Sequence, residues 1–138
     1  MPINISHSVY LGTEQSLNLE LSNIFNIQAS YLYNKSFDLS AGKTFSDNVE
    51  VTGIRKHTVK GSLFFTLDRF ESVLSTEYLG KSSTLDSALL LNLSVTMQVS
   101  KALRAYLAVD NLLNTDYELV SGFPMPGTKI RLGGTLRF

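Results

Sequence analysis

Few residues in this sequence could do chemistry by themselves. His7 and His57 are its only histidines and stand far apart with no carboxylate at metal-ligand spacing. There is no cysteine to supply a thiolate ligand or a disulfide. Glu71 with Glu77, or Asp68 with Asp110, could be imagined as an acid–base pair. Neither pair is accompanied by a serine and histidine arranged as nucleophile and base. Gly80-Lys81-Ser82-Ser83 has the tail of a phosphate-binding loop, but the first glycine would have to stand at Ser75 and a helix would have to follow. The sequence therefore predicts no enzyme: no catalytic residue, no cofactor and no metal.

What must position these residues is a set of strands. From Ile3 to Leu21 apolar side chains recur at odd positions, with a weak centre at Thr13 and Gln15, and Asn, Ser and Glu fill most even ones. Side chains of a strand alternate faces, so this spacing predicts a strand with one oily side. After a turn near Ser22-Asn23 the pattern returns in Phe25, Ile27, Ala29, Tyr31 and Tyr33, and then Lys35 to Gly53 loses it and is predicted to be a long loop. A strand Asn48 to Ile54 hidden there would be the alternative. Val59, Leu63, Phe65 and Leu67 mark the third strand, and a tight turn at Asp68-Arg69 leads to the fourth, with Phe70, Leu74 and Tyr78. The fifth, Leu85 to Val99, is the clearest; the sixth carries Leu103, Ala105, Leu107, Val109 and Leu113. Asn114 to Gly127 is a second long loop before the terminal strand, Thr128 to Phe138.

The chain of 138 residues is the size of one domain, and its 12 basic and 12 acidic residues cancel. Without a basic field, nucleic acid is not an expected partner. No run of about 18 apolar residues offers a membrane-spanning helix, and Met1-Pro2-Ile3-Asn4 opens no secretion signal. A membrane role would have to use strands, with any export signal outside this sequence.

The strand faces sort cleanly. Glu14, Glu20, Lys60, Asp68, Glu71, Glu77, Asp86, Arg104, Asp110, Lys129, Arg131 and Arg137 all fall on the polar face. One lipid-facing Lys or Arg at mid-depth would cost about 2–4 kcal/mol. Alternation does not say whether the oily face meets lipid or a core, and a small soluble β-barrel binding an apolar ligand has the same period. The aromatics separate the two. Phe25, Phe70 and Phe138 fall at the tight-turn rim and Tyr31, Tyr33 and Tyr78 toward the long-loop rim, two bands on one face. In such a barrel, carboxylates on the opposite face line a water-filled interior.

The last strand resembles the C-terminal signal by which the barrel-assembly machinery recognises bacterial outer-membrane proteins: Arg131, Gly133, Leu136 and the closing Phe138. Seven strands, with the last descending to the tight-turn rim, leave an odd number and an open edge, which hydrocarbon does not tolerate. The expectation is an all-β, antiparallel transmembrane β-barrel segment of about seven meander strands, the closing part of a larger barrel.

Longer motifs resemble the TonB-dependent outer-membrane receptors. Asn111-Leu112-Leu113-Asn114-Thr115-Asp116-Tyr117 is similar to that family's exit from its penultimate strand, Gly122-Phe123-Pro124-Met125-Pro126-Gly127 to the loop before its last strand, and Gly12-x-Glu14 to its Gly-x-Glu. Thr128, Leu113 and Phe123 depart from the usual Arg, aromatic and Tyr. The resemblance covers all 138 residues and implies that residues 1–138 are the C-terminal part of a receptor barrel of the roughly 22-stranded type in the outer membrane, without the plug domain. It implies, for the intact protein, uptake of a scarce ligand such as siderophore-iron or cobalamin. The partners it implies are outer-membrane lipid, the rest of the barrel and its plug, and a TonB energy-transducing complex reached through an absent N-terminal part. The segment alone would not transport.

Overall fold

The computed structural model describes residues 7–40 and 42–137. Ile3 and Ile5 of the predicted first strand, and Phe138, lie outside them. Among the described residues nine strands form: β1 (Ser8–Glu20), β2 (Phe25–Asp38), β3 (His57–Leu67), β4 (Phe70–Leu79), β5 (Ala88–Gln98), β6 (Leu103–Asp110), β7 (Glu118–Val120), β8 (Phe123–Pro124) and β9 (Lys129–Leu136). Seven of them make one antiparallel meander in the order β1-β2-β3-β4-β5-β6-β9, and β7 and β8 form a small separate hairpin. The sheet is open: among the described residues β1 and β9 each pair on one side only.

Register carries the alternation across the sheet. One row of facing pairs runs Leu19, Ile27, Leu63, Leu74, Leu93, Val109, Ile130, and the next toward the tight turns runs Phe25, Phe65, Ser72, Val95, Leu107, Leu132. A slip of one residue in any pair would move a strand's apolar set to the other face. Short turns hold the register. Connections 21–24, 68–69 and 99–102 lie on one rim; 39–56, 80–87 and 111–128 lie on the other. Two of the tight turns are the same device. The Ser22 hydroxyl accepts N–H groups of Ile24 and Phe25 at 3.2 and 3.1 Å, and Ser100 does so from Ala102 and Leu103 at 3.3 and 3.1 Å. Asp68 takes the third turn through a positive φ of 46°, a conformation that short polar side chains tolerate.

Apolar residues do not cover one another here. No large side chain among the described residues is fully buried, while Leu132 is 76% and Leu17 53% exposed on the oily face. An exposed apolar surface of this extent marks a face made for a partner or a membrane. The buried cluster lies instead on the opposite face near the long loops, where Leu79, Ala88 and Leu90 meet and Tyr117 packs against them; on the oily face Phe37 and Val109 are also buried.

Two expectations change and one alternative falls away. β2 runs on to Asp38, so residues 35–38 are strand rather than loop. The reason is long-range: β1 pairs with this stretch as far as Ser8↔Asp38, and the Asp38 N–H reaches the Val49 carbonyl at 2.8 Å. That extension adds Lys35 to the oily face, beyond Tyr33, so the face is free of charge only between its aromatic bands. Second, 48–54 forms no strand, and the loop's short element is a 3-10 turn, Phe45–Asp47; the main sheet keeps seven strands. Third, the last long loop contains the β7–β8 hairpin, which turns through Gly122 at φ 84°.

Candidate functional site

On β2 and on β4 the aromatic bands stand eight residues apart, Phe25 to Tyr33 and Phe70 to Tyr78, which is about 26 Å along a strand. A tilt of about 40° shortens that to about 20 Å of depth, close to the apolar band of an outer-membrane barrel. Phe65 joins the lower band, its ring centroid 5.1 Å from that of Phe25. His57 joins the upper band: the Tyr31 hydroxyl lies 2.8 Å from its Nδ1, and the Tyr33 ring centroid is 5.4 Å away. This histidine is a member of an aromatic girdle.

The polar face pairs some of its charges. Lys60 meets Glu77 across β3–β4 at 3.2 Å, Arg104 reaches Glu71 at 3.4 Å, and Arg131 meets Asp110 at 2.9 Å. Glu71 and Glu77 therefore serve different cations. Asp68 and Asp110 stand at opposite rims and are not brought together. Among the described residues no three of His, Asp and Glu converge as a metal site would require. The face also carries apolar residues that alternation assigned no role, including the facing pair Phe64 and Val73.

Above this face the long loops are joined by specific bonds. The Arg55 guanidinium donates to the carbonyls of Gly80, Asp86 (2.7 Å) and Glu118 (2.9 Å), so one side chain ties all three loops together. Nothing local in the sequence distinguishes Arg55, because its partners are 25 to 63 residues away. The motif residues of the last loop clasp one another. Asn111, 4% exposed and at φ 51°, receives at its amide oxygen the Thr115 N–H (2.9 Å), and its amide donates to the carbonyls of Thr115 (2.9 Å) and Pro126 (3.4 Å). Asn114 accepts the Thr128 N–H at 3.0 Å, and Gly127 sits so close to it that a Cβ there would strike the amide. The two quoted segments, 111–117 and 122–127, are thus the two sides of one clasp, in which Asn111 is the buried residue.

At the end of β2, Lys43, the Ser40 hydroxyl and the Ser40 N–H (2.9 Å) converge on Asp38. Lys43 foremost, then Ser40, holds its carboxyl down to about 2. The Thr44 N–H and hydroxyl cap Asp47 at 2.7 and 2.9 Å and keep it below its usual range. Glu50, 2.8 Å from Lys56, raises that ammonium's pKa.

The residues of the terminal signal lie as follows. Arg131 is ion-paired on the polar face. Gly133 faces Tyr106, whose ring atoms lie 2.5 Å from where a Cβ would stand, so the ring rests on bare backbone. Leu136 faces Leu103 on the oily side and is 61% exposed. Phe138 lies outside the described residues. Gly12 pairs with Asn34, and Glu14 stands on the polar face opposite Leu32.

No protein-family model and no curated protein matches the sequence. Solved structures do. The copper transporter OprC is similar over 95% of this chain and 24% of its own, with TM-score 0.76 and 15% identity. The ferripyoverdine receptor of the outer membrane of Pseudomonas aeruginosa is similar over 94% of this chain and 19% of its own, with TM-score 0.74 and 14% identity. The chain thus spans a quarter or less of the chains that it resembles, and it has the fold of one seven-strand section of their β-structure.

Proposed function

We propose that this chain is the C-terminal section of an outer-membrane active-transport receptor of the TonB-dependent kind, with the oily face against lipid and the polar face lining the lumen. Sorting of the two faces carries the reading: between the aromatic bands every described outward position is uncharged, and the charged side chains face inward, among them the pairs Lys60–Glu77, Arg104–Glu71 and Arg131–Asp110. In the intact protein the lumen would hold the plug, and the facing Phe64 and Val73 would give it an apolar contact. The cargo would be a scarce ligand such as siderophore-iron or cobalamin, and a TonB energy-transducing complex would drive its release. This section alone would not transport.

The same reading gives the last strand a role in assembly. Arg131, Gly133, Leu136 and Phe138 would be read by the barrel-assembly machinery. The test is Phe138→Ser in the intact receptor, followed by its heat-modifiable folded form in outer-membrane fractions. Synthesis should be normal and the folded band should fall several-fold; an unchanged band overturns the assembly role. Antibody to the last twenty residues tests the larger reading: it should detect a band several-fold larger than 15.3 kDa in the outer membrane, and a soluble band at that mass overturns it.

A further inference from the structure

Lys35 is the exception to the sorting of faces. It is the one charged side chain among the described outward positions of the main sheet, two residues beyond Tyr33 on the loop-rim side. Its ammonium lies 4.9 Å over the Phe37 ring. It takes part in none of the ion pairs among the described residues, in common with Lys101 and Lys129 and unlike Lys43, Lys56, Lys60 and Lys81, each of which has a carboxylate. His57 faces Tyr33 across β2–β3 and so is a diagonal neighbour of Lys35 on the same face, at about 7–8 Å. The Tyr31 hydroxyl and His57 Nδ1 share a hydrogen bond, which leaves Nε2 of this exposed ring able to meet a further group. A cation without a carboxylate, an imidazole ring nitrogen and two tyrosines thus share one outward patch. No carboxylate belongs to it.

We propose that this patch binds the phosphorylated headgroup of an outer-leaflet glycolipid, with Lys35 as the cation, His57 as a hydrogen-bond donor and Tyr31 and Tyr33 as the seat for its sugar. The proposal rests on the reading above, which places the oily face in lipid and the long loops outside. Charge and depth commit it to lipid: the groups lie at the level of headgroups, where a basic side chain attracts an anionic surface, and a tyrosine ring sits at the boundary of hydrocarbon and water.

The intact receptor, purified in mild detergent and delipidated, would be titrated with lipid A carrying both phosphates and with its dephosphorylated form, and bound lipid counted by native mass spectrometry. The phosphorylated lipid should bind, and Lys35→Ala should weaken it about fivefold, the effect of one basic group at a membrane surface. His57→Ala should weaken it by less, Lys35→Arg should keep it, and Lys101→Ala on the opposite rim should change nothing. Inorganic phosphate at millimolar concentration should not compete. Equal binding of the two lipids, no effect of Lys35→Ala, or full competition by phosphate each overturns the lipid site. Failure of the underlying reading registers separately and earlier, as absence of the receptor from the outer-membrane fraction, and it overturns both.

Discussion

The two faces of the sheet are built on different principles. The oily face is made by repetition: rows of Leu, Ile, Val and Phe side chains brought into line by register, with no hydrogen bond among them below the tyrosine girdle. The polar face is made by particular meetings, such as Lys60 with Glu77, Arg131 with Asp110, and Arg55 with three carbonyls. A repetitive face tolerates exchange of one apolar residue for another and rejects charge. A face of particular meetings tolerates polarity and is damaged where one partner is lost.

Adjacent residues on β4 give the sharpest test of that difference. Leu74 stands midway between the aromatic bands on the oily face, and Ser75 faces the polar side opposite Ser62 and Asn92. Leu74→Arg should destabilise the intact barrel by about 2–4 kcal/mol, and Ser75→Arg by less than about 1 kcal/mol, both measured by reversible urea unfolding in lipid vesicles. Equal effects would break the assignment of faces.

Arg55→Ala comes next. It leaves the carbonyls of Gly80, Asp86 and Glu118 without their shared donor, at a cost of about 2 kcal/mol of local stability for the charged bonds lost. Limited proteolysis should then cut residues 80–87 and 111–128 together, with the strands intact; Ser22→Ala in a tight turn should leave both loops resistant.

At Gly133 the polar face has a meeting of ring and backbone. Gly133→Ala should destabilise by about 1–3 kcal/mol because the Tyr106 ring must move, and the same change in a Tyr106→Ala background should cost distinctly less. Additive effects in that double-mutant cycle would remove the packing explanation.

The smallest effect expected is at the Asp38 corner. Its carboxyl titrates near 2 when folded and near 3.8 when free, so the contribution of the Lys43 and Ser40 bonds is fully present above about pH 4 and is lost as pH falls through 2. Protection of the Ser40 amide, its exchange rate relative to the intrinsic rate at each pH, should fall as pH drops through that window in the wild type, and Asp38→Asn should show the lowered protection already at pH 7.

Strands, faces and tight turns were legible in the sequence because each depends on near neighbours. Alternation at Leu89, Leu91, Leu93 and Val95 needs no knowledge of a partner strand, and a Ser followed by two N–H groups closes its own turn. The terminal motifs were legible as motifs, yet only the fold shows that Asn111 and Asn114 bond to the segment 126–128 and so close one clasp. The end of β2 was misjudged because Lys35, Ser36 and Asp38 interrupt the expected pattern, and what extends the strand there is pairing with β1 and Val49. Arg55 and the girdle position of His57 had no sequence signal at all. The sequence by itself determined which residues share a face and where the chain reverses, since a period of two and a short turn are local properties. Only the tertiary structure decided which loops are tied together and that one lysine stands uncompensated on the outward face, because ion pairs and shared carbonyls join residues tens of positions apart.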